Sequence, residues 1–211
     1  MSVLRVRQHV NPLSHKYQAP IAVPDWTSIY KDCDRPLHLD IGCARGLFLL
    51  EMAQAKPEWN FLGVEIREPL VARANEDRDT LGLDNLHYLF CNINVSLGQL
   101  LGPETLQGVT IQFPDPWFKK RHQKRRVVEP QLVDVLARQL VPNGFLFIQS
   151  DVLEVAQQMR SVISAHPAFQ LSDDSTPWLP HNPLPVSTER ERFTLAQDKP
   201  VYRCWFARRA T

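Results

Sequence analysis

Apolar and polar positions change rhythm along this chain, and the rhythm predicts most of its elements. Leu37-His38-Leu39-Asp40-Ile41 alternates with the period of a strand and ends at Gly42. Arg45 to Lys56 is apolar on most sides, as a buried helix is, and Pro57 stops it. Asn60–Ile66 reads as a second strand, followed by a polar helix from about Pro69 to Leu81 that stops at Gly82. Leu86–Cys91 is a third strand, Leu97–Leu101 a short helical stretch and Val109–Phe113 a fourth strand. A basic loop from Pro114 to Arg126 precedes a helix opened by Glu129, with Pro130 at its favoured first position and Leu132, Val133, Leu136 and Leu140 on one face. Gly144–Ser150 is a fifth strand. Val152, Val155, Ala156, Met159, Val162 and Ile163 then recur at helical spacing, and Asp151 with Glu154 has the spacing of a capping box. Pro177–Pro185 is too proline-rich for a central strand, whereas Val201–Ala207 alternates again as a closing one.

Strands alternating with helices predict a parallel, doubly wound sheet with right-handed crossovers. Residues 1–35 stand apart from it. Arg5, Arg7, His9, His15 and Lys16 are interspersed with Pro12, Pro20 and Pro24 and show no apolar period, which predicts a basic arm or irregular cover. Residues 36–211 are then a single domain, of ordinary size for one core. A hydrophobic content of 44% and a charged content of 22% exclude a disordered or fibrous chain. The longest apolar runs, Leu47–Leu50 and Phe145–Ile148, fall far short of the ~20 residues of a membrane helix. Met1–Arg7 has no secretory pattern. Cys33, Cys43, Cys91 and Cys204 lie too far apart for a zinc motif, which points to reduced thiols in the cytoplasm and no metal.

In doubly wound sheets ligands sit at the carboxyl ends of the strands, near the switch point. The first strand ends Asp40-Ile41-Gly42-Cys43-Ala44-Arg45-Gly46. A dinucleotide turn needs glycine at 42, 44 and 47, and the chain has Gly42, Ala44 and Leu47. Asp40 would also repel a pyrophosphate. The same carboxylate favours a cationic ligand, and S-adenosylmethionine carries an ammonium and a sulfonium with no phosphate. Gly42 and Gly46 would let backbone approach it. Glu65, ending the second strand, is placed to accept both hydroxyls of a ribose. Asn92, past the third strand, can meet an adenine edge or simply form a turn. Phe113-Pro114-Asp115-Pro116-Trp117 holds one carboxylate in a stiff frame beside an aromatic platform. Net charge is only +1, yet six of the eight residues Lys119-Lys120-Arg121-His122-Gln123-Lys124-Arg125-Arg126 are cationic and none is acidic. A cationic loop beside a site predicts a large polyanionic substrate, RNA or DNA.

Together these residues closely resemble the bacterial tRNA (guanine-N7-)-methyltransferases, a family of Rossmann-like class I S-adenosylmethionine-dependent enzymes. Arg5–Leu13, Thr188-Glu189-Arg190-Glu191 and Pro200-Val201-Tyr202-Arg203 extend the resemblance over nearly the whole chain. It implies a mostly parallel seven-stranded sheet with helices on both faces, S-adenosylmethionine as cofactor, and methylation of N7 of a guanine in the variable loop of tRNA. It implies cofactor contacts from Asp40, Gly42, Gly46, Glu65, Asn92 and Asp115, with Asp115 also catalytic. Lys119, Asp151, Thr188, Glu189, Arg190 and Glu191 match substrate-contacting positions, and Arg121, His122, Gln123, Lys124, Arg125 and Arg126 the RNA-interacting stretch. The chain departs from the family pattern at Ala44, where glycine is usual, at Asn92, where aspartate is common, and at Arg190, which replaces an aromatic. A methyltransferase with another substrate and a non-catalytic RNA-binding module are the alternatives, and oligomeric state is left open between monomer and homodimer. The dinucleotide reading of an oxidoreductase is disfavoured by its missing glycines.

Overall fold

The computed structural model describes residues 10–173 and 175–210; Arg5, Arg7 and His9 of the arm lie outside them. The remaining arm residues form a 3-10 turn at His15–Tyr17 and the short helix α1 (Trp26–Ile29), and the sheet begins after them. Its strands are β1 (Leu37–Ile41), β2 (Asn60–Glu65), β3 (Leu86–Phe90), β4 (Leu106–Gln112), β5 (Leu140–Ser150), β6 (Phe169–Leu171) and β7 (Tyr202–Arg208). The order across the sheet is β3-β2-β1-β4-β5-β7-β6. The first five run parallel, β7 lies antiparallel to β5, and β6 antiparallel to β7. The strand order therefore reverses between β1 and β4, which puts the switch-point crevice at their carboxyl ends.

Helices α2 (Leu47–Ala55) and α3 (Glu68–Thr80) cover one face and close a core around Phe48, Leu49, Met52, Phe61, Val71 and Tyr88. The other face carries α4 (Ile93–Leu100), α5 (Pro130–Gln139) and α6 (Leu153–Ser164), packed through Leu97, Leu136, Val155 and Met159 onto Leu39, Leu62, Val109 and Ile148. Because both faces are covered, every residue of β2 is buried and the strand shows no polar alternation. No described helix is long and apolar enough to cross a membrane.

The structure adds elements that the pattern did not predict. β6 is only three residues long, and α7 (Glu189–Leu195) is built from a highly charged stretch with no apolar stripe to announce it. The capping box at Asp151 does not form. Val152 is the N-cap of α6 without a side-chain bond, Ser150 Oγ accepts the Val152 amide at 3.1 Å, and the Glu154 carboxylate turns to the basic loop.

Tyr88 ties the sheet to the turn after β1. Its hydroxyl donates to the Gly46 carbonyl at 2.6 Å, and its ring lies where a Cβ on Gly46 or Gly63 would fall, at 2.6 and 2.5 Å. Gly46 also holds φ 76°. Gly46→Ala therefore combines overlap with a disfavoured backbone and should destabilise the fold by about 2–4 kcal/mol, read from urea denaturation. Tyr88→Phe, which removes only the hydroxyl, should cost about 1 kcal/mol in the same assay.

Candidate functional site

The turn that follows β1 alternates in handedness, with Gly42 at φ 81°, Ala44 at 50° and Gly46 at 76°. Gly42 and Cys43 donate their amides to the Val64 carbonyl at 2.9 and 3.1 Å, which fastens the turn to β2. A Cβ on Gly42 would meet nothing within 4 Å, so this stretch of backbone faces open space. Ala44 keeps the left-handed shape that glycine adopts without strain, and its amide is held by Glu65 Oε2 at 3.1 Å.

Asp40 sits in β1 between Gly63 of β2 and Thr110 of β4. Its residue is only 4% exposed, and burial pushes the carboxyl up to about 6 against the partial relief of bonds from Thr110 and Gln112. Thr110 Oγ1 donates to Asp40 Oδ1 at 2.6 Å and lies 3.0 Å from His38 Nε2. Burial holds the His38 imidazole down to about 3, so it is neutral and serves as donor to the threonine. Gln112 Nε2 approaches Asp40 Oδ1 at 3.4 Å, and Gln149 Nε2 donates to Gln112 Oε1 at 2.8 Å. Beyond Gln149 the line reaches Arg203 and Glu191. Arg203 Nη2 donates to Glu191 Oε1 at 2.7 Å, and the Glu191 carboxylate also accepts from Gln149 and Asn182. A chain of buried polar side chains thus crosses the carboxyl ends of β1, β4 and β5 into α7.

Glu65, at the end of β2, is buried and fully engaged. Oε1 accepts from the Arg67 amide at 3.0 Å and from Arg67 Nε at 2.9 Å; Oε2 accepts from the Ala44 amide and from Arg67 Nη2 at 2.9 Å. Asn92 caps α4, its Oδ1 accepting the Asn94 amide at 3.3 Å. Its Nδ2 donates to the carbonyls of Pro12 and Tyr17, both at 3.2 Å, and Tyr17 stands edge-on to Phe90. The described part of the arm is therefore pinned over the end of β3.

The Phe113–Trp117 segment is more strained than two prolines alone require. Phe113 (φ 49°) and Trp117 (φ 44°) both lie in the left-handed region, which bulky side chains rarely occupy. The Phe113 amide is anchored to the Gln149 carbonyl at 2.8 Å, and Asp115 is half-buried between the two. Such strain persists where surrounding structure enforces it, commonly at functional sites.

The basic stretch is a 3-10 helix at Lys120–Arg125, and it divides by role. Phe118, Lys119, Lys120, Arg121 and Lys124 are exposed. Arg126 is not: it is 7% exposed, with Nε on the Pro116 carbonyl at 3.0 Å and Nη2 on Glu154 at 2.7 Å, which Gln123 also contacts. The Arg125 guanidinium lies over the Trp117 ring, and His122 meets that ring edge-on. Of the stretch Arg121–Arg126 expected to face RNA, Arg126 is turned inward, its guanidinium engaged in holding the loop.

The substrate positions expected in α7 are engaged within the protein itself. Thr188 is the N-cap and accepts the Glu191 amide, while Glu191 is 1% exposed beneath the surface. Glu189 pairs with Arg45 at 2.7 Å and Arg192 with Glu51 at 2.9 Å, tying α7 to the glycine turn and to α2. Arg190 binds Asp151, Nε to Oδ2 at 2.9 Å, so two candidate substrate residues neutralise each other at the rim.

Comparison with known proteins follows this geometry. The family described as "Putative methyltransferase" matches residues 34–204. The tRNA (guanine-N(7)-)-methyltransferases of Microcystis aeruginosa and Synechocystis are 57% and 58% identical, over 98% and 99% of this chain and 99% of each relative. That of Thermosynechococcus vestitus is 59% identical over 98% of this chain and 96% of its own. The chain belongs to the tRNA (guanine-N7-)-methyltransferase family. Among solved structures the aminoglycoside resistance methyltransferase NpmB1 superposes with TM-score 0.54 at 14% identity, covering 86% of this chain and 89% of its own. The [4+2]-cyclase SpnF gives 0.57 at 13%, covering 88% and 78%. A cyclase on the same architecture illustrates that the fold alone does not fix the reaction.

The sequence pattern does not single out several residues that line these strand ends. Arg67 is one; Thr110, Gln112, Gln149 and Arg203 are others. Four of these are polar side chains inside otherwise apolar sheet strands, a signal that was present in the pattern. No described His, Cys, Asp and Glu residues gather into a metal-binding group.

Asp40 gives this site a pH signature. The folded carboxyl keeps its proton up to about pH 6, against 3.8 for the ordinary group, so the folded state binds more protons in between. Its contribution to stability is full below about pH 4 and is lost as pH rises through about 6, amounting to roughly 3 kcal/mol. Asp40→Asn should therefore raise Tm at pH 7.5 by a few degrees, and the gap to wild type should close as pH falls to 4 in thermal denaturation.

Proposed function

We propose that this chain transfers a methyl group from S-adenosylmethionine to N7 of a guanine in the variable loop of tRNA, in the cytoplasm, with Asp115 as its catalytic acid. The observation that carries the assignment of the donor site is the desolvated Asp40 carboxyl beside the open face of Gly42. A buried carboxylate gains from a cationic partner and opposes a phosphate, which matches a sulfonium and ammonium ligand. Bound there, S-adenosylmethionine supplies an electrophilic methyl group. Asp40 would face the cationic end of that ligand, Gly42 would admit it to the backbone, and Glu65 would receive its ribose. Gly46, the other glycine expected to admit it, is closed by the Tyr88 ring. Asn92, past the end of β3, would border the adenine side through the arm that its amide holds in place.

Guanine N7 already carries its lone pair, so no base has to remove a proton before attack. The work left to the protein is alignment, which can supply ~7–11 kcal/mol. Asp115, held between two strained aromatic residues, accepts the N–H donors of the purine and offsets the positive charge that develops on the ring. Lys119, Lys120, Arg121 and Lys124 are the exposed cations that meet phosphates, beside the exposed ring of Phe118. Asp151 and Arg190 part from each other where substrate enters between them.

Incubation with unmodified tRNA and the donor should yield 7-methylguanosine on nucleoside mapping, and Asp115→Asn should lower kcat at saturating donor by 100-fold or more. Near-normal turnover of that variant would remove Asp115 from the reaction. Replacing Lys120, Arg121 and Lys124 by Gln should weaken tRNA binding and flatten its dependence on salt by about 0.7–0.9 log units per contact. Arg126→Gln should instead lower Tm and leave that slope in place.

A further inference from the structure

We propose that Arg67 is an internal substitute for the donor's ribose: its guanidinium occupies the two hydrogen-bonding positions on Glu65 that the ribose hydroxyls require, and it must leave when the donor enters. The inference rests on the reading that Glu65 receives the ribose.

The argument is one of capacity. A carboxylate has about four acceptor positions. Two of those on Glu65 are taken by backbone amides, of Ala44 and of Arg67 itself, which the turn after β1 and the start of α3 hold in place. The other two are taken by Arg67 Nε and Nη2, both at 2.9 Å in a bidentate pair. A ribose diol offers two O–H donors, so it replaces the guanidinium one for one and leaves the amide bonds untouched. Glu65 is buried, its side chain 3% exposed, and a bare carboxylate there would be costly between turnovers. Arg67 keeps it paired, and at 22% side-chain exposure it has room to move outward. Asp115 adds to the negative field that holds the guanidinium there. The arrangement favours release at the expense of affinity, because the spent donor still carries the ribose and Arg67 competes for its place.

The test is titration calorimetry with S-adenosylhomocysteine, together with its dissociation rate and the Tm of the free protein. Arg67→Met keeps length and loses every donor; it should lower the Tm of the ligand-free protein, bind about tenfold tighter and release the ligand correspondingly more slowly. Arg67→Lys, with its charge but without the planar fork, should fall between wild type and Arg67→Met, and it serves where the methionine variant fails to fold. Equal or weaker binding by either folded variant overturns the substitution by Arg67. Glu65→Gln tests the reading beneath it: loss of about tenfold or more in affinity upholds the ribose site. Unchanged affinity in that variant removes the ribose from Glu65 and the inference with it. In the double variant Glu65→Gln/Arg67→Met the gain from removing arginine should vanish.

Discussion

A carboxylate at the end of a buried parallel strand is an electrostatic problem, and much of this molecule is arranged around its solution at Asp40. Both faces of β1 are covered, so the acid has no water to stabilise its charge, and burial raises its affinity for a proton. Thr110 and Gln112 supply hydrogen bonds from the neighbouring strand, His38 orients the threonine, and Gln149 orients Gln112. None of these groups is a cation. The charge is therefore supported but not neutralised, which leaves Asp40 able to attract a positive ligand instead of being spent on an internal ion pair.

Glu65 and Glu191 show the opposite arrangement. Each is buried and each is closed by an arginine, Arg67 and Arg203 respectively. Breaking a buried pair typically costs about 3–5 kcal/mol, whereas exposed pairs such as Arg45–Glu189 contribute little to stability. The Glu191–Arg203 pair fixes α7 under the rim, and the exposed pairs link α7 to the glycine turn and α2. The polar line from Asp40 through Gln149 to Glu191 means that the β1 side and the α7 side of the crevice share one hydrogen-bonded foundation.

The departures from the family pattern acquire reasons in this setting. An aspartate at position 92 has no donor hydrogens, but Asn92 uses its amide to hold two carbonyls of the arm. Ala44 keeps the left-handed turn of the usual glycine because the Glu65 carboxylate anchors its amide. Arg190, lacking the aromatic face that is usual there, pairs with Asp151. That pair also accounts for the failed capping box: Asp151 and Glu154 each find an arginine, Arg190 and Arg126, and a charge-assisted bond to arginine outweighs a bond to one helix amide.

The sequence by itself determined the alternation of strands and helices, the glycine turn, the acids at the ends of β1 and β2 and the Phe113–Arg126 stretch. These are local patterns: periodicity, turn chemistry and charge density are written in consecutive residues. It did not reveal β6 or α7, because a three-residue edge strand and a charged one-sided helix carry too few apolar positions to form a period. Nor could it separate Lys120 from Arg126, neighbours in a single basic run, one exposed and one buried against Glu154 from α6. Whether an acid is free or already paired, as with Asp40 against Glu65, depends on which distant side chain the fold delivers to it, and only the tertiary structure decided that.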